Sequence, residues 1–256
     1  TELEIQINED LFSGARVIAS TLVSSNHRIL TGRRFTTLFI DEAAQALEAA
    51  CWIAIRKADR VIFAGDHCQL PPTIKCIEAA RNGLEQTLME KVAANKQETV
   101  SRLKVQYRMH QSIMQFSSEW FYQGELQAAP EVTNRGILDL DLPMSWIDTS
   151  EMEFHEEFIG ESFGRINKPE ANLLLQELEA YIRKIGEKRV LEERIDFGLI
   201  SPYKAQVQYL RGKLKGCSFF RPFRSQITIH TVDGFQGQER DVIFISLVRA
   251  NEDGQI

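Results

Sequence analysis

Two adjacent carboxylates follow directly on an apolar run in this chain. Leu38-Phe39-Ile40 leads into Asp41-Glu42, and the small residues Ala43-Ala44 and then Gln45 come next. A carboxylate at the carboxyl end of a buried parallel strand can hold Mg2+, mostly through water, while its neighbour positions an attacking water. The same pair also suits a helix N-cap with a favourable first-turn charge, and the stretch alone does not choose between the two. A second apolar run, Arg60 to Ala64, closes on Gly65-Asp66-His67-Cys68-Gln69-Leu70-Pro71-Pro72. An amide such as Gln69 can donate to a phosphate oxygen and accept from water. Further on, Gln106-Tyr107-Arg108-Met109-His110 sets an aromatic ring beside a guanidinium, whose planar fork suits phosphate oxygens. The loop Asp233-Gly234-Phe235-Gln236-Gly237-Gln238-Glu239-Arg240 adds another carboxylate, Glu239, next to glycines.

The elements that must position these groups alternate between strand and helix. A strand ends at Asp41, a helix spans roughly 44–56, and a strand covers 60–64. That spacing is close to one strand–helix–strand unit of ~30 residues. Such crossovers are right-handed and give parallel strands, so both acid-tipped ends are expected on one sheet edge. Further strands are expected at 16–21, 103–105, 197–200, 226–232 and 241–248, with an edge strand at 146–148. Helices are expected near 77–94, 112–122 and 169–185, and again after Ser201-Pro202-Tyr203, with Val207, Leu210 and Leu214 on one face. Residues 123–167 read as irregular and include an acidic run at 151–161. The pattern is that of a doubly wound α/β protein with two lobes, 1–103 and 104–256.

Bulk composition narrows the function. The net charge of −6 excludes a bulk polyanion binder, so any nucleic-acid surface must be local. Two local candidates stand out. Asn26 to Arg34 reads as an exposed basic loop. Arg211 to Arg224 interleaves Phe219, Phe220 and Phe223 with basic residues, which fits single-strand binding or, equally, a loop whose rings cap the core. No apolar run approaches the roughly 20 residues of a membrane span, and the acidic opening has no signal-peptide pattern. Cys51, Cys68, Cys76 and Cys217 form no C-x-x-C pair and read as buried thiols of a reducing, cytoplasmic or nuclear compartment.

Taken in order, the Asp41–Gln45, Gly65–Pro72, Gln106–His110 and Val232–Glu239 motifs, with Val248-Arg249-Ala250-Asn251, resemble superfamily 1B helicases of the up-frameshift type. The resemblance spans nearly the whole chain. It implies two RecA-like parallel-sheet lobes, both incomplete, with ATP bound between them and 5′ to 3′ movement along single-stranded DNA or RNA. It makes Asp41 the Mg2+ position, through water, and Glu42 the residue that activates water. Gln69 becomes the γ-phosphate sensor, Tyr107 the ring that stacks on the base, and Arg108 an arginine that reaches the γ-phosphate. Glu239 becomes a carboxylate near the nucleotide, and Gly237 a site of close backbone approach. Thr21, Pro72, Ser201, Pro202 and Thr231 fall where family members touch the sugar–phosphate backbone, which positions a strand without reading its sequence. Asp66 is expected to order its loop, and Arg249 to make an ion pair.

Two departures from that pattern matter. The 256 residues contain no G-x-x-x-x-G-K-[ST] phosphate cradle, and they stop before the family's motif VI arginine. The expectation is therefore an internal piece of a longer ATPase, nearly inactive by itself. Two other classes compete: a nucleic-acid-binding scaffold that has lost catalysis, and a Mg2+ nuclease built on Asp41, Glu42 and Asp66.

Overall fold

The polar opening of the chain forms a helix, α1 (Glu2–Gly14), none of whose residues is buried. The computed structural model describes residues 2–139, 141–160 and 164–251. The chain divides into two units, Thr1–Arg102 and Leu103–Ile256.

In the first unit the strand expected at 16–21 does not form. Val17 is 87% exposed, and no strand among the described residues pairs with this stretch. β1 (Phe35–Ile40) runs into a single 3-10 turn at Ala43–Gln45, and α2 (Glu48–Ile55) starts only after it. β2 (Ala58–Phe63) returns parallel to β1, with Ile40 opposite Phe63. Both acid-tipped ends therefore share one sheet edge, as the spacing requires. β1 is less buried than its composition suggests: Ile40 is 3% exposed but Phe39 is 68% exposed, because β2 is its one strand neighbour among the described residues.

The single helix expected at 77–94 is broken. α3 (Ile77–Ala79) passes into a π turn, Ala80–Leu84, whose Gly83 takes φ 94°, a value open to glycine without strain. A new helix, α4 (Leu88–Asn95), then starts on Thr87. The Thr87 hydroxyl accepts the Glu90 N–H, and the Glu90 carboxylate accepts the Thr87 N–H, a reciprocal cap. Leu88 enters the core of this unit with Ile40, Ala43 and Cys51.

The second unit opens with β3 (Val105–Gln106), α5 (Gln111–Phe121) and β4 (Gln127–Ala128), a short parallel pair around a helix. The irregular stretch conceals an antiparallel hairpin of β5 (Glu157–Ile159) and β6 (Gly164–Ile166); Glu161, in its acidic run, lies outside the described residues. Trp146–Asp148 is not a strand, and Trp146 is 79% exposed. α6 (Lys168–Ile185) is capped by Asn167, whose side chain accepts the Glu170 N–H, with Pro169 in its first turn.

After α7 (Glu187–Glu193) come β7 (Phe197–Ser201), α8 (Lys204–Gly216), β8 (Ile227–Thr231), α9 (Val232–Phe235) and β9 (Val242–Ile245). Their sheet is fully parallel in the order β8-β7-β9. Leu178 and Ile182 of α6, Leu210 of α8 and Phe197 and Leu199 of β7 are fully buried in its core.

The aromatic residues at 219–223 join that core. Phe220 and Phe223 are 2% and 0% exposed, and Phe219 packs against them beneath the Arg183 guanidinium. Arg211 donates to the Ile229 carbonyl and Arg224 to the Lys215 carbonyl. The capping alternative therefore holds here, and the single-strand alternative is corrected. The basic loop at 26–34 is similarly engaged: Arg33 donates to the Phe12 carbonyl at 2.6 Å, and Arg34 pairs with Asp59. Among the cysteines Cys51 alone is buried, and Cys76 is exposed.

A buried polar network ties α6, α8 and the end of β9 together. Gln206 Nε2 donates to the Asn167 carbonyl and to Ser246 Oγ, and Gln206 Oε1 accepts the Asn167 N–H. Val248, with a left-handed φ of 72°, is gripped at both ends of its backbone. Its N–H donates to the Glu170 carboxylate, at 3.1 and 3.0 Å from the two oxygens, and its carbonyl accepts from Asn167 Nδ2 at 3.2 Å.

Candidate functional site

In the first unit, the β1 and β2 ends release the chain into two loops stitched together by backbone. Ala64 N–H donates to the Ile40 carbonyl at 2.9 Å, and Ala43 N–H donates to the Ala64 carbonyl at 2.8 Å. Gly65 makes this approach possible, since a Cβ there would lie 2.9 Å from both the Ala43 and Ala44 nitrogens. Asp41 and Glu42 are both exposed at this edge. Asp41 is not a helix cap: its Oδ1 accepts the Glu42 N–H at 3.0 Å, and α2 begins six residues after Glu42, at Glu48. Glu42 itself takes φ 50° and ψ 40°, an unusual left-handed conformation for a side-chain-bearing residue. Gln45 Nε2 donates to Glu42 Oε2 at 2.8 Å and steadies that carboxylate, a contact that the local sequence does not signal.

The neighbouring loop is closed by Asp66. Its Oδ1 accepts the Cys68 N–H at 3.0 Å and its Oδ2 accepts Gln69 Nε2 at 2.9 Å. Gln69 is thus held at the same sheet edge as the acidic pair, and it is exposed. Asp66, His67 and Cys68 bring ligand-type atoms within 4.8 Å of one another, but both Asp66 oxygens already serve the loop. Burial, then the Asp66 charge, pushes the Cys68 thiol above its ordinary pKa. The donor set fits a hydrated Mg2+: an exposed strand-end carboxylate, with a second carboxylate and an amide beside it.

In the second unit, Arg108 Nε donates to Glu239 Oε1 at 2.6 Å, so two residues far apart in sequence meet. Tyr107 beside it is 67% exposed. Gly237 takes φ 73°, a left-handed turn open to glycine, and no other protein atom lies within 4 Å of where a Cβ would stand. Arg249 Nε lies 2.9 Å from Glu156 Oε2, an ion pair away from the Arg108–Glu239 contact.

The five strand-contact positions divide. Thr21 is exposed, although its hydroxyl already donates to Ser24 Oγ. Pro202 is exposed, and Thr231 is half-buried with its hydroxyl accepting the Gly234 N–H at 3.3 Å. Pro72 is buried and Ser201 is 0% exposed, its hydroxyl turned to the Tyr203 N–H. Those two support the loops and present no surface to a strand. Local sequence offered no sign of this, because proline and serine are themselves turn-type residues that are usually exposed.

Parallel strands that end together and deliver carboxylate and amide side chains to one edge, repeated as a parallel sheet in a second unit, define the RecA-like class of α/β proteins. Two family models, each described as an AAA domain, match residues 1–76 and 84–256. The chain belongs to this AAA-domain family, as a superfamily 1 helicase-type protein of the up-frameshift kind. The break between the two matches precedes α4, whereas the structural break follows it, because Leu88 packs into the first unit's core. Among relatives, DNA-binding protein SMUBP-2 of Rattus norvegicus is 35% identical over 99% of this chain and 26% of its own length. DNA polymerase alpha-associated DNA helicase A of Saccharomyces cerevisiae is 35% identical over 97% of this chain and 40% of its own. A regulator of nonsense transcripts 1 homolog of Drosophila melanogaster is 36% identical over 94% and 20%. The chain therefore spans well under half of each of these relatives. No helix among the described residues is long and apolar enough to cross a membrane.

Proposed function

We propose that this chain carries the hydrolytic and strand-gripping groups of an ATP-dependent helicase or translocase acting on single-stranded DNA or RNA. The observation that carries the reading is the common edge at which Asp41, Glu42 and Gln69 stand exposed, held by the Ala43–Ala64 and Asp66–Gln69 hydrogen bonds. Asp41 would hold Mg2+ through water there, and the bound ion would supply charge neutralisation at the phosphates. Glu42, steadied by Gln45, orients and deprotonates the attacking water. Gln69 donates to the terminal phosphate. Arg108 exchanges Glu239 for phosphate oxygens, Tyr107 stacks on the base, and Glu239 and the Gly237 turn lie beside the nucleotide. Thr21, Pro202 and Thr231 touch the sugar–phosphate backbone. The names of two relatives, a DNA-binding protein and a DNA helicase, support the nucleic-acid part of this reading.

The chain spans 26% and 40% of the length of two of its relatives. The test therefore uses protein expressed from the whole gene. Glu42→Gln should lower nucleic-acid-stimulated ATPase kcat by about 100-fold or more while leaving nucleotide affinity nearly unchanged, as expected for loss of a general base. An unchanged kcat would overturn the general-base role of Glu42, and no measurable turnover in the unsubstituted protein would favour the scaffold alternative. The isolated 256-residue chain should hydrolyse ATP at a rate close to background.

A further inference from the structure

Tyr107 and Arg108 present a positioning problem. Both side chains stand in solvent, at 67% exposed for Tyr107 and 57% for the Arg108 side chain, so no core packing fixes their direction. The Arg108–Glu239 pair is itself exposed, and exposed pairs hold geometry weakly. What fixes the loop is the side chain of Gln106. Its Oε1 accepts two backbone N–H groups, those of Arg108 and Met109, each at 2.8 Å, and its Nε2 donates to the Met109 carbonyl at 2.7 Å. One half-buried amide thus satisfies three backbone groups of the two residues that follow Tyr107. Gln106 is itself anchored in β3, where its carbonyl accepts the Ala129 N–H at 2.9 Å. Arg135 supports the same loop from outside, donating to the Arg108 carbonyl at 3.2 Å. Downstream, His110 Nδ1 accepts the Ser112 N–H and starts α5.

We propose that Gln106 is the positioning residue for Arg108, setting the path of the Tyr107–Met109 backbone so that the guanidinium is presented in one direction. This rests on the reading of Arg108 as a phosphate-binding arginine. The chemistry requires glutamine: the loop needs an acceptor for two N–H groups and a donor for one carbonyl from the same side chain. Glutamate keeps the acceptor and loses the donor, while leucine loses both at similar size. A displacement of about 1 Å in a positioned group can cost on the order of 100-fold in rate.

The test compares Gln106→Ala, Gln106→Glu, Arg108→Ala and the double variant Gln106→Ala/Arg108→Ala in protein expressed from the whole gene. Steady-state ATPase and thermal melting are measured on each. Gln106→Ala should lower kcat by about 10- to 100-fold with the melting temperature unchanged. Gln106→Glu should recover part of that loss. The double variant should be no slower than Arg108→Ala alone, because a residue that works only through Arg108 has nothing left to position. Wild-type kcat in Gln106→Ala, an additive double variant, or a fall in kcat that tracks a lowered melting temperature each overturns the proposal. Glu42→Gln is the control that separates the two levels. If it abolishes turnover while Gln106→Ala does not, the positioning role alone fails. If neither variant affects turnover, the hydrolytic reading beneath it fails.

Discussion

Gly65 is the residue on which the acidic edge turns. It brings the β2 exit loop against the Ala43 and Ala44 amides, which immediately follow the carboxylate pair. A methyl group would be forced onto backbone nitrogens, which cannot rotate away as a flexible side chain would. Gly65→Ala should therefore destabilise the first unit by roughly 1–3 kcal/mol. It should also lower ATPase more than its loss of stability accounts for, because Ala43 must retreat and drag Glu42 with it. Chemical denaturation and ATPase measured on the same preparation check both parts. A substitution that leaves both unchanged would mean the two loops are not rigidly stitched. The residue types at this edge were plain in the sequence, and so was their shared side of the sheet. The left-handed turn at Glu42 was not, because a carboxylate there has no local preference for positive φ and is held by Gln45 and the Ala43–Ala64 bond. Pro72 and Ser201 show the opposite failure. Their types suggested surface turns, and burial is a tertiary property that neighbouring residues do not encode.

At the scale of elements, strong periodicity was legible and interruptions were not. α6 and α8 carry apolar residues at helical spacing on a face that becomes the core of the second unit, and both appear where that spacing puts them. The stretch from Ile77 onward shows the limit. Its composition favours helix throughout, yet Gly83 breaks it and Thr87 with Glu90 restarts it. That capping signature was present in the letters, masked by the helix-forming residues on either side. The hairpin β5–β6 escaped for a different reason: an acidic run reads as solvent-facing loop, and here Lys168 and Arg165 pair with Glu157 and Glu156. The cap at Thr87 gives a direct measure of how much α4 depends on its start. Thr87→Ala should cost about 1 kcal/mol, since the hydroxyl that accepts the Glu90 N–H is lost while the backbone N–H at position 87 can still donate to the Glu90 carboxylate. Urea denaturation followed by far-ultraviolet circular dichroism reads this as a lowered midpoint with an unchanged slope; no shift would mean that Leu88 packing alone sets the helix.

In both units, several basic side chains are taken up by internal partners. Arg33, Arg211 and Arg224 donate to backbone carbonyls, and Arg34 and Arg183 pair with carboxylates. The proposed strand contacts, Thr21, Pro202 and Thr231, are uncharged. Single-strand binding by this chain should accordingly release few counterions. The slope of log Kobs against log salt should be shallower than about −2, which corresponds to fewer than about three neutralised phosphates. Fluorescence anisotropy of a labelled oligonucleotide over a salt series measures it. A slope steeper than about −4 would instead put the strand on a basic surface away from these three residues.

The double grip on Val248 has a further consequence. A β-branched residue takes a left-handed backbone only under compulsion, and here Asn167 and Glu170 supply it from both sides of one residue. Sliding β9 by a single position along β7 would move a different residue between those two side chains and leave its amide and carbonyl mismatched. The start of α6 therefore acts as an end-stop that sets the strand's alignment from outside the sheet, fixing where the chain departs toward Arg249.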